Sequence, residues 1–363
     1  MLDAVEWGEF ALGDLFEIKS NPQLDKGNFI FSENGEYPYF TRTVFNNGIL
    51  GKVEYLDEEH KIRGGCLAVG MIAMQFFYME KDFYAGQFTK RAELKDFVLT
   101  PRLANYFITV LNKKQKIFQA TLVRSFEKTF KTEKVQLPIK NGQIDLDFME
   151  KFVAELEVRR SAELEAYLST AGLKDYALNA EEEQALAEFL QVHWAKFNLQ
   201  KLFGKATRGK RLKSADRVSG CLPFVTAGEA DTGISAFIGN QVERFQANTI
   251  TIDMFGSAKY RNYEYGADDH VAVVHTEEWD KMEVLFATAA IHKAAYTGEF
   301  NYGRNFYAKD ADTLNIWLPE KDGKPDYIYM QNLLSAVQKR VIKSVVQYAD
   351  QKIAATAAVR QQR

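Results

Sequence analysis

The chain repeats itself, and a sequence that repeats over most of its length is constrained to fold twice. Trp7-x-x-Phe10-x-Leu12-x-x-Leu15-Phe16 returns as Trp194-x-x-Phe197-x-Leu199-x-x-Leu202-Phe203, every position displaced by 187 residues. Tyr37-Pro38-Tyr39-Phe40-Thr41 is echoed by Leu222-Pro223-Phe224-Val225-Thr226, and Asn47-Gly48-Ile49 by Thr232-Gly233-Ile234, now displaced by 185. Leu137-Pro138-Ile139-Lys140-Asn141-Gly142 matches Leu318-Pro319-Glu320-Lys321-Asp322-Gly323, and Asp145, Met149, Arg159 and Tyr167 match Asp326, Met330, Arg340 and Tyr348, displaced by 181. The order is preserved, and the shrinking offset implies small loop deletions. A spacing of this size is too long for a solenoid, whose repeats run to roughly 20–50 residues, and suits a duplicated domain. The 363-residue length likewise exceeds one ordinary domain.

Each copy reads as a mixed α/β globule of short aromatic- and glycine-punctuated segments followed by a long helix, so the expected class is α+β. Apolar stretches at 66–74 and 249–254 look like strands, and 102–111 and 279–292 have helical spacing. The expected boundaries are a first globule at 1–143, a first helix at 144–170, a connector at 171–193, a second globule at 194–323, and a second helix with its tail at 324–363. In the second helix Met330, Leu334, Val337, Val341, Val345 and Tyr348 step by three and four, which makes a seam. Met149, Val153, Leu156, Leu164 and Tyr167 step alike in the first, with Arg160 interrupting. Two such seams predict an antiparallel coiled coil between the helices; the alternative is that each folds back on its own globule. A helix over 145–168 would be about 36 Å long, close to one turn of B-DNA at about 34–36 Å. The acidic segment Ala180-Glu181-Glu182-Glu183-Gln184-Ala185-Leu186 is taken as part of the connector, or as an extension of the first globule.

Composition narrows the function classes. No apolar run reaches the roughly 18 residues of a membrane span, and the start, Met1-Leu2-Asp3-Ala4-Val5-Glu6, carries acid where a secretory signal would carry base, so a cytoplasmic protein is expected. Cys66 and Cys221 stand far apart and offer neither a disulfide framework nor a metal spacing; both read as buried thiols. The net charge is −3, so any surface for nucleic acid must be local; that is feasible because screening confines fields to about 8 Å at physiological salt.

Two globules that open with Trp-x-x-Phe-x-Leu-x-x-Leu-Phe, carry Pro-Tyr/Phe-x-Thr and then Asn/Thr-Gly-Ile, and end in Leu-Pro before a long helix resemble the specificity subunits of type I restriction systems. They equally resemble the recognition subunits of type IIB systems, and the residues do not separate the two. The resemblance implies that each globule is a target recognition domain reading one half of a bipartite site in double-stranded DNA. It implies that the helices space the globules and dock methyltransferase subunits, with either a restriction/translocase subunit or a fused nuclease-methyltransferase in the complex. The chain itself would then be non-catalytic and hold no cofactor, with S-adenosylmethionine on the partner.

DNA reading needs cations for phosphates and amide, guanidinium or aromatic groups for base edges. In the second half the densest basic run, Thr207-Arg208-Gly209-Lys210-Arg211-Leu212-Lys213, nominates Arg208, Lys210, Arg211 and Lys213 as phosphate contacts, with Gly209 letting the backbone approach. Lys259, Tyr260 and Arg261, and then Asn301, Tyr302, Arg304 and Asn305, are nominated as base readers. The first half offers Gln87, Lys90 and Arg91, and then Arg124 and Lys128, which fall where the Gly303 loop falls in the second. Each of these segments also reads as a solvated surface turn.

Two rival classes remain. A stand-alone DNA nuclease or methyltransferase finds little support: there is no G-x-G-x-x-G, Walker lysine loop, H-E-x-x-H, C-x-x-C or Asn-Pro-Pro-Tyr segment. Glu127, Glu133 and Lys134 are near one another in sequence, as a nuclease site would need, and Asp268-Asp269-His270 with His275 is a weak metal pattern. A non-DNA binding or scaffold protein would explain the aromatic content but not the helix seams.

Overall fold

Three sheets are built in one half and built again, in the same strand order, in the other. The computed structural model describes residues 5–121 and 123–361; Met1–Ala4, on which the reading of the N-terminus rests, and Gln362 and Arg363 of the tail lie outside the described residues. Two units separate. One runs to Leu164 and includes the chain from Lys352 onward; the other is Glu165–Gln351.

In the first unit, strand Glu6–Ala11 pairs antiparallel with Lys134–Lys140, which turns back into Gln143–Ile144. A four-stranded sheet follows in the order Phe16–Ser20, Thr89–Leu94, Cys66–Gly70, Gln75–Met79, and a three-stranded one in the order Ile49–Val53, Tyr37–Phe40, Tyr84–Ala85. The second unit repeats these as Trp194–Asn198 with Asn315–Lys321 and Lys324–Pro325; as Thr207–Arg208, Val271–Val274, Thr249–Asp253, Ala258–Arg261; and as Ile234–Ile238, Ser219–Val225, Gly266–Ala267.

The repeated residues are repeated for physical reasons. Leu12, Leu15 and Phe16 are buried, as is Leu199, with Leu202 and Phe203 packed against the second core. The amide of Leu12 bonds the Glu133 carbonyl and that of Leu199 the Leu314 carbonyl, which ties the start of each globule to its end. Asn141-Gly142 and Asp322-Gly323 both have φ near +53° and +77° in sequence, the left-handed pair that a two-residue hairpin requires. Past each hairpin, Asp145 and Asp326 donate their amides to the Pro138 and Pro319 carbonyls and accept from Phe148 and Tyr329 through their carboxylates. The Leu-Pro and Asp matches are thus one device that anchors and caps a helix.

The helices themselves are Leu146–Thr170 and Tyr327–Gln361. The other expected elements hold with shifted edges. The two shorter helices are Pro101–Asn112, capped by the Thr100 hydroxyl, and Lys281–Ala295, opened by an Asp280/Glu283 capping box. The strand expected over 66–74 stops at Gly70, because Met71–Met74 turns back and Met74 adopts φ +51°. The first core is dense in phenylalanine, with Phe16, Phe76, Phe107, Phe118, Phe126 and Phe130 all buried; the second is aliphatic, around Ile250, Ile252, Val284 and Ile291.

The second seam holds at its start, where Met330 is buried and Leu334 half-buried, and departs from expectation beyond it. Val337, Val345 and Tyr348 are exposed, Val341 is 71% exposed, and the buried stripe is Leu333, Ala336, Val346 and Ala349. At Leu333 the reason lies in the connector, which belongs to the second unit and lies along this helix. Tyr329 and Leu333 pack with Ala185, the Tyr329 hydroxyl bonds the Ala185 carbonyl, and Lys339 reaches Asp175 at 3.1 Å and Glu182 at 3.0 Å. Glu182 doubles as the third residue of a capping box with Asn179. Burial by itself would raise its carboxyl, but hydrogen bonds from Ser335, the Asn179 amide and Lys339 hold it below the ordinary range. Cys66 is buried, which pushes its thiol up to about 12, whereas Cys221 is exposed, against expectation.

Candidate nucleic-acid interface

In the second unit two short stretches come together. Strand Thr207–Arg208 pairs with Val271–Val274, and the chain from Gly209 to Lys213 leaves that edge, so Arg208, Lys210, Arg211 and Lys213 are all exposed. Among the described residues Arg208, Arg211 and Lys213 pair with no carboxylate, and Lys210 is 3.9 Å from Glu243. Gly209 has a different role from the one expected of it. A Cβ there would sit 1.8 Å from the Ala267 carbonyl oxygen, so the glycine serves a close approach of backbone to backbone rather than to phosphate.

Beside this run lies the loop of Asn301, Tyr302, Gly303, Arg304 and Asn305. Asn301 and Arg304 exchange backbone bonds at 2.9 and 3.0 Å, and the Asn301 side chain accepts from the Gly303 amide at 2.8 Å, which closes a tight exposed turn. Tyr302 stands out from its tip against Phe255, while Arg304 lies over Phe300 at 5.2 Å and pairs with Glu299. Arg208 shares a hollow of about 420 Å³ with Tyr307 and Lys309, and the same two residues line a neighbouring hollow of about 320 Å³ with Tyr302, Arg304 and Asn305. Arg208, at the start of the basic run, and the loop therefore share one basic, aromatic face. Lys309, which the sequence reading missed, sits where they meet; it belongs to a short helix, Ala308–Thr313, and had no basic neighbour in sequence to mark it.

The third nominated segment does not join them. Lys259 is held between Glu229 at 3.1 Å and Asp253 at 3.5 Å, and the Tyr260 hydroxyl bonds Asn248. Arg261 is only 1% exposed, bonded to Thr251, Tyr263 and, at 3.5 Å, Thr232. A strand points successive side chains to opposite faces, and these three point into packed surroundings on both.

In the first unit Gln87 is exposed, but Lys90 is paired with Glu127 at 2.8 Å and Arg91 with Glu93 at 2.7 Å, Arg91 also bonding the Ser20 carbonyl. Arg124 and Lys128 are exposed, the first on a helical turn where the second unit has the end of its open loop, the second on helix Phe126–Thr132, which matches the short helix Ala308–Thr313 and sets Lys128 opposite Lys309 in the repeat. The nuclease pattern disperses: Glu127 serves Lys90, Glu133 serves Lys114, and Lys134 serves Glu9. Asp268, Asp269 and His270 do converge, but Asp268 accepts from the Leu212 amide and His270 pairs with Asp269 at 2.9 Å; His275 instead bonds Thr207 and Glu277.

Residues 4–166 match the family described as type I restriction modification DNA specificity domain. Over 362 residues the chain is 24% identical to the type II restriction enzyme BgcI specificity subunit S.BcgI of Heyndrickxia coagulans, covering 94% of this chain and 97% of that protein. Its fold is similar to that of the type I restriction-modification system S subunit from M. genitalium, with a TM-score of 0.58 at 15% identity over 99% of this chain and 95% of the other.

Proposed function

We propose that this chain, a relative of restriction-modification specificity subunits, reads a bipartite site in double-stranded DNA, one half-site per unit, and performs no catalysis of its own. The observation that carries the reading is the double construction. The two units each have the same three sheets, the same hairpin and the same helix anchor, yet present different side chains at matched positions, which suits two readers of unlike sequence. In the second unit the reader would be the face of Arg208, Lys210, Arg211, Lys213, Tyr302, Arg304, Asn305 and Lys309. In the first it would include Gln87, Arg124 and Lys128.

The long helices are read as spacer and docking surface. Leu146–Thr170 is 25 residues, about 38 Å, still close to one duplex turn. Within the second unit its last turn buries Leu168, and Lys174 joins Glu165 to Asp350 of the second helix, in keeping with the antiparallel pairing proposed for the two helices. The exposed apolar row Val337, Val341 and Val345 suits docking of a methyltransferase subunit. S-adenosylmethionine would bind to that partner. No described helix is long and apolar enough to cross a membrane, and the expected setting is the cytoplasm. Mapping methylated bases genome-wide in cells carrying the partner methyltransferase, with and without this chain, tests the reading. A split motif present only with the chain supports it; methylation indifferent to the chain defeats it.

A further inference from the structure

The two units differ at one matched rim, and the difference has a chemical sense. In the first unit strand Tyr37–Phe40 leads into a turn in which Asn46, Asn47 and Gly48 have φ of 48°, 54° and 79°, and Phe45 at its tip is 80% exposed. Strand Tyr84–Ala85 leads to Phe88, 49% exposed, which holds φ 58°. That conformation is costly for an aromatic residue. It is held from both sides: the Phe88 amide donates to Gln23 at 3.0 Å, and its carbonyl accepts from Met71 at 2.9 Å. Arg42, in the stretch between strand Tyr37–Phe40 and Phe45, sets its guanidinium 5.5 Å from the Phe88 ring and its backbone against Gly70. Among the described residues Arg42 is in no ion pair with a carboxylate. Ile72, at the adjoining turn, is also exposed.

The second unit makes the same turn, with Asp231, Thr232 and Gly233 at φ 48°, 55° and 83°, but carries different chemistry on it. Ala227 stands for Arg42, Glu229 for Val44, Ala230 for Phe45, Asp231 for Asn46, Asp269 for Gln87 and His270 for Phe88. The turn shared by the two units shows that this backbone does not require an aromatic at Phe45, whereas the positive φ of Phe88 is not repeated at His270. The small and acidic set would repel phosphate, whereas the set of the first unit combines a guanidinium, amides and protruding rings.

We infer that Phe45 and Phe88, braced by Arg42, form an aromatic wedge of the first unit that enters duplex DNA at a base step of its own half-site and unstacks it. Exposed apolar side chains inserted between base steps are a known route to local kinking. An unpaired guanidinium beside them suits the phosphate of the opened step, and Asn46 and Gln87 suit base edges. The second unit carries no phenylalanine at these two positions, so the distortion made by this rim falls in the half-site of the first unit. The inference rests on the two-reader function proposed above.

The test uses the chain in complex with its methyltransferase, on a duplex containing the mapped site, with 2-aminopurine placed in turn at each position of both half-sites. The methylated base is left out because methyltransferases extrude it. The wild type is expected to raise the fluorescence several-fold at one step of the half-site read by the first unit and nowhere in the other. Phe45→Ala with Phe88→Ala abolishes the rise, and Phe45→Trp retains it. A rise that persists in the double variant, or none in a wild-type complex that methylates the site, overturns the wedge. So does a folded double variant that no longer co-purifies with the methyltransferase, which would make the rim a protein-docking surface. If the wild-type complex methylates no split site, it is the two-reader function that fails, a result distinguishable from all of these.

Discussion

Replacing Arg208, Arg211 and Lys213 together by glutamine removes three exposed cations that have no carboxylate partner among the described residues, and it leaves every core residue in place. Each cation that neutralises a phosphate contributes about 0.9 to the slope of log affinity against log salt. If all three do so, the triple variant's slope is shallower by about 2.7. Between about 50 and 200 mM salt, the wild type then loses about 40-fold more affinity than the variant. The assay is fluorescence anisotropy of the methyltransferase complex on its mapped duplex at four or more salt concentrations. Lys90→Gln with Arg91→Gln serves as the comparison, since those cations already face Glu127 and Glu93 and should leave the slope nearly unchanged. An unchanged slope for the triple variant refutes the phosphate role of the basic run. A slope altered equally by both variants shows a general charge effect rather than a contact face.

Other outcomes follow from single positions. Gly209→Ala drives a Cβ to 1.8 Å from the Ala267 carbonyl and should destabilise the second unit by about 1–3 kcal/mol in urea melts, whereas Gly27→Ala, with nothing within 4 Å, should be close to neutral. Glu182 is held below the ordinary carboxylate range, so its contribution is present above the unfolded value near about 4.3 and is lost as pH falls through the lower folded value. Glu182→Gln should accordingly cost about 2 kcal/mol at pH 7, progressively less as the solution is acidified through that range, and speed hydrogen exchange in the connector. A thiol reagent should label Cys221 in the native protein and reach Cys66 only on unfolding, as mass spectrometry of the labelled protein can show.

Much of the architecture was legible because the chain states it twice. The capping aspartates, the hairpin pairs with left-handed backbone and the buried Leu-x-x-Leu-Phe are positions where one chemistry satisfies one backbone need, so they recur. The later part of the seam was misplaced because its buried members include Ala336 and Ala349, which weigh little in an apolar count. Arg261 looked like a base reader because a run of Lys, Tyr and Arg does not say which residues face inward; burial in a network of threonine and tyrosine hydroxyls decides it. Its counterpart across the repeat, Met79, sits in an apolar cluster, so the two small sheets solve the same packing problem with opposite chemistry. Lys309 and Arg42 were missed since each is isolated in sequence and joins its neighbours only in space.

The central claim, one reader per unit, is tested most directly by exchanging residues 194–323 for the matching segment of a relative with a different motif and mapping methylated bases in cells carrying the chimera. The account predicts a split motif in which one half changes to the donor's sequence while the other half and the number of base pairs between them stay as they were. A motif that changes in both halves, or that does not change at all, would contradict it.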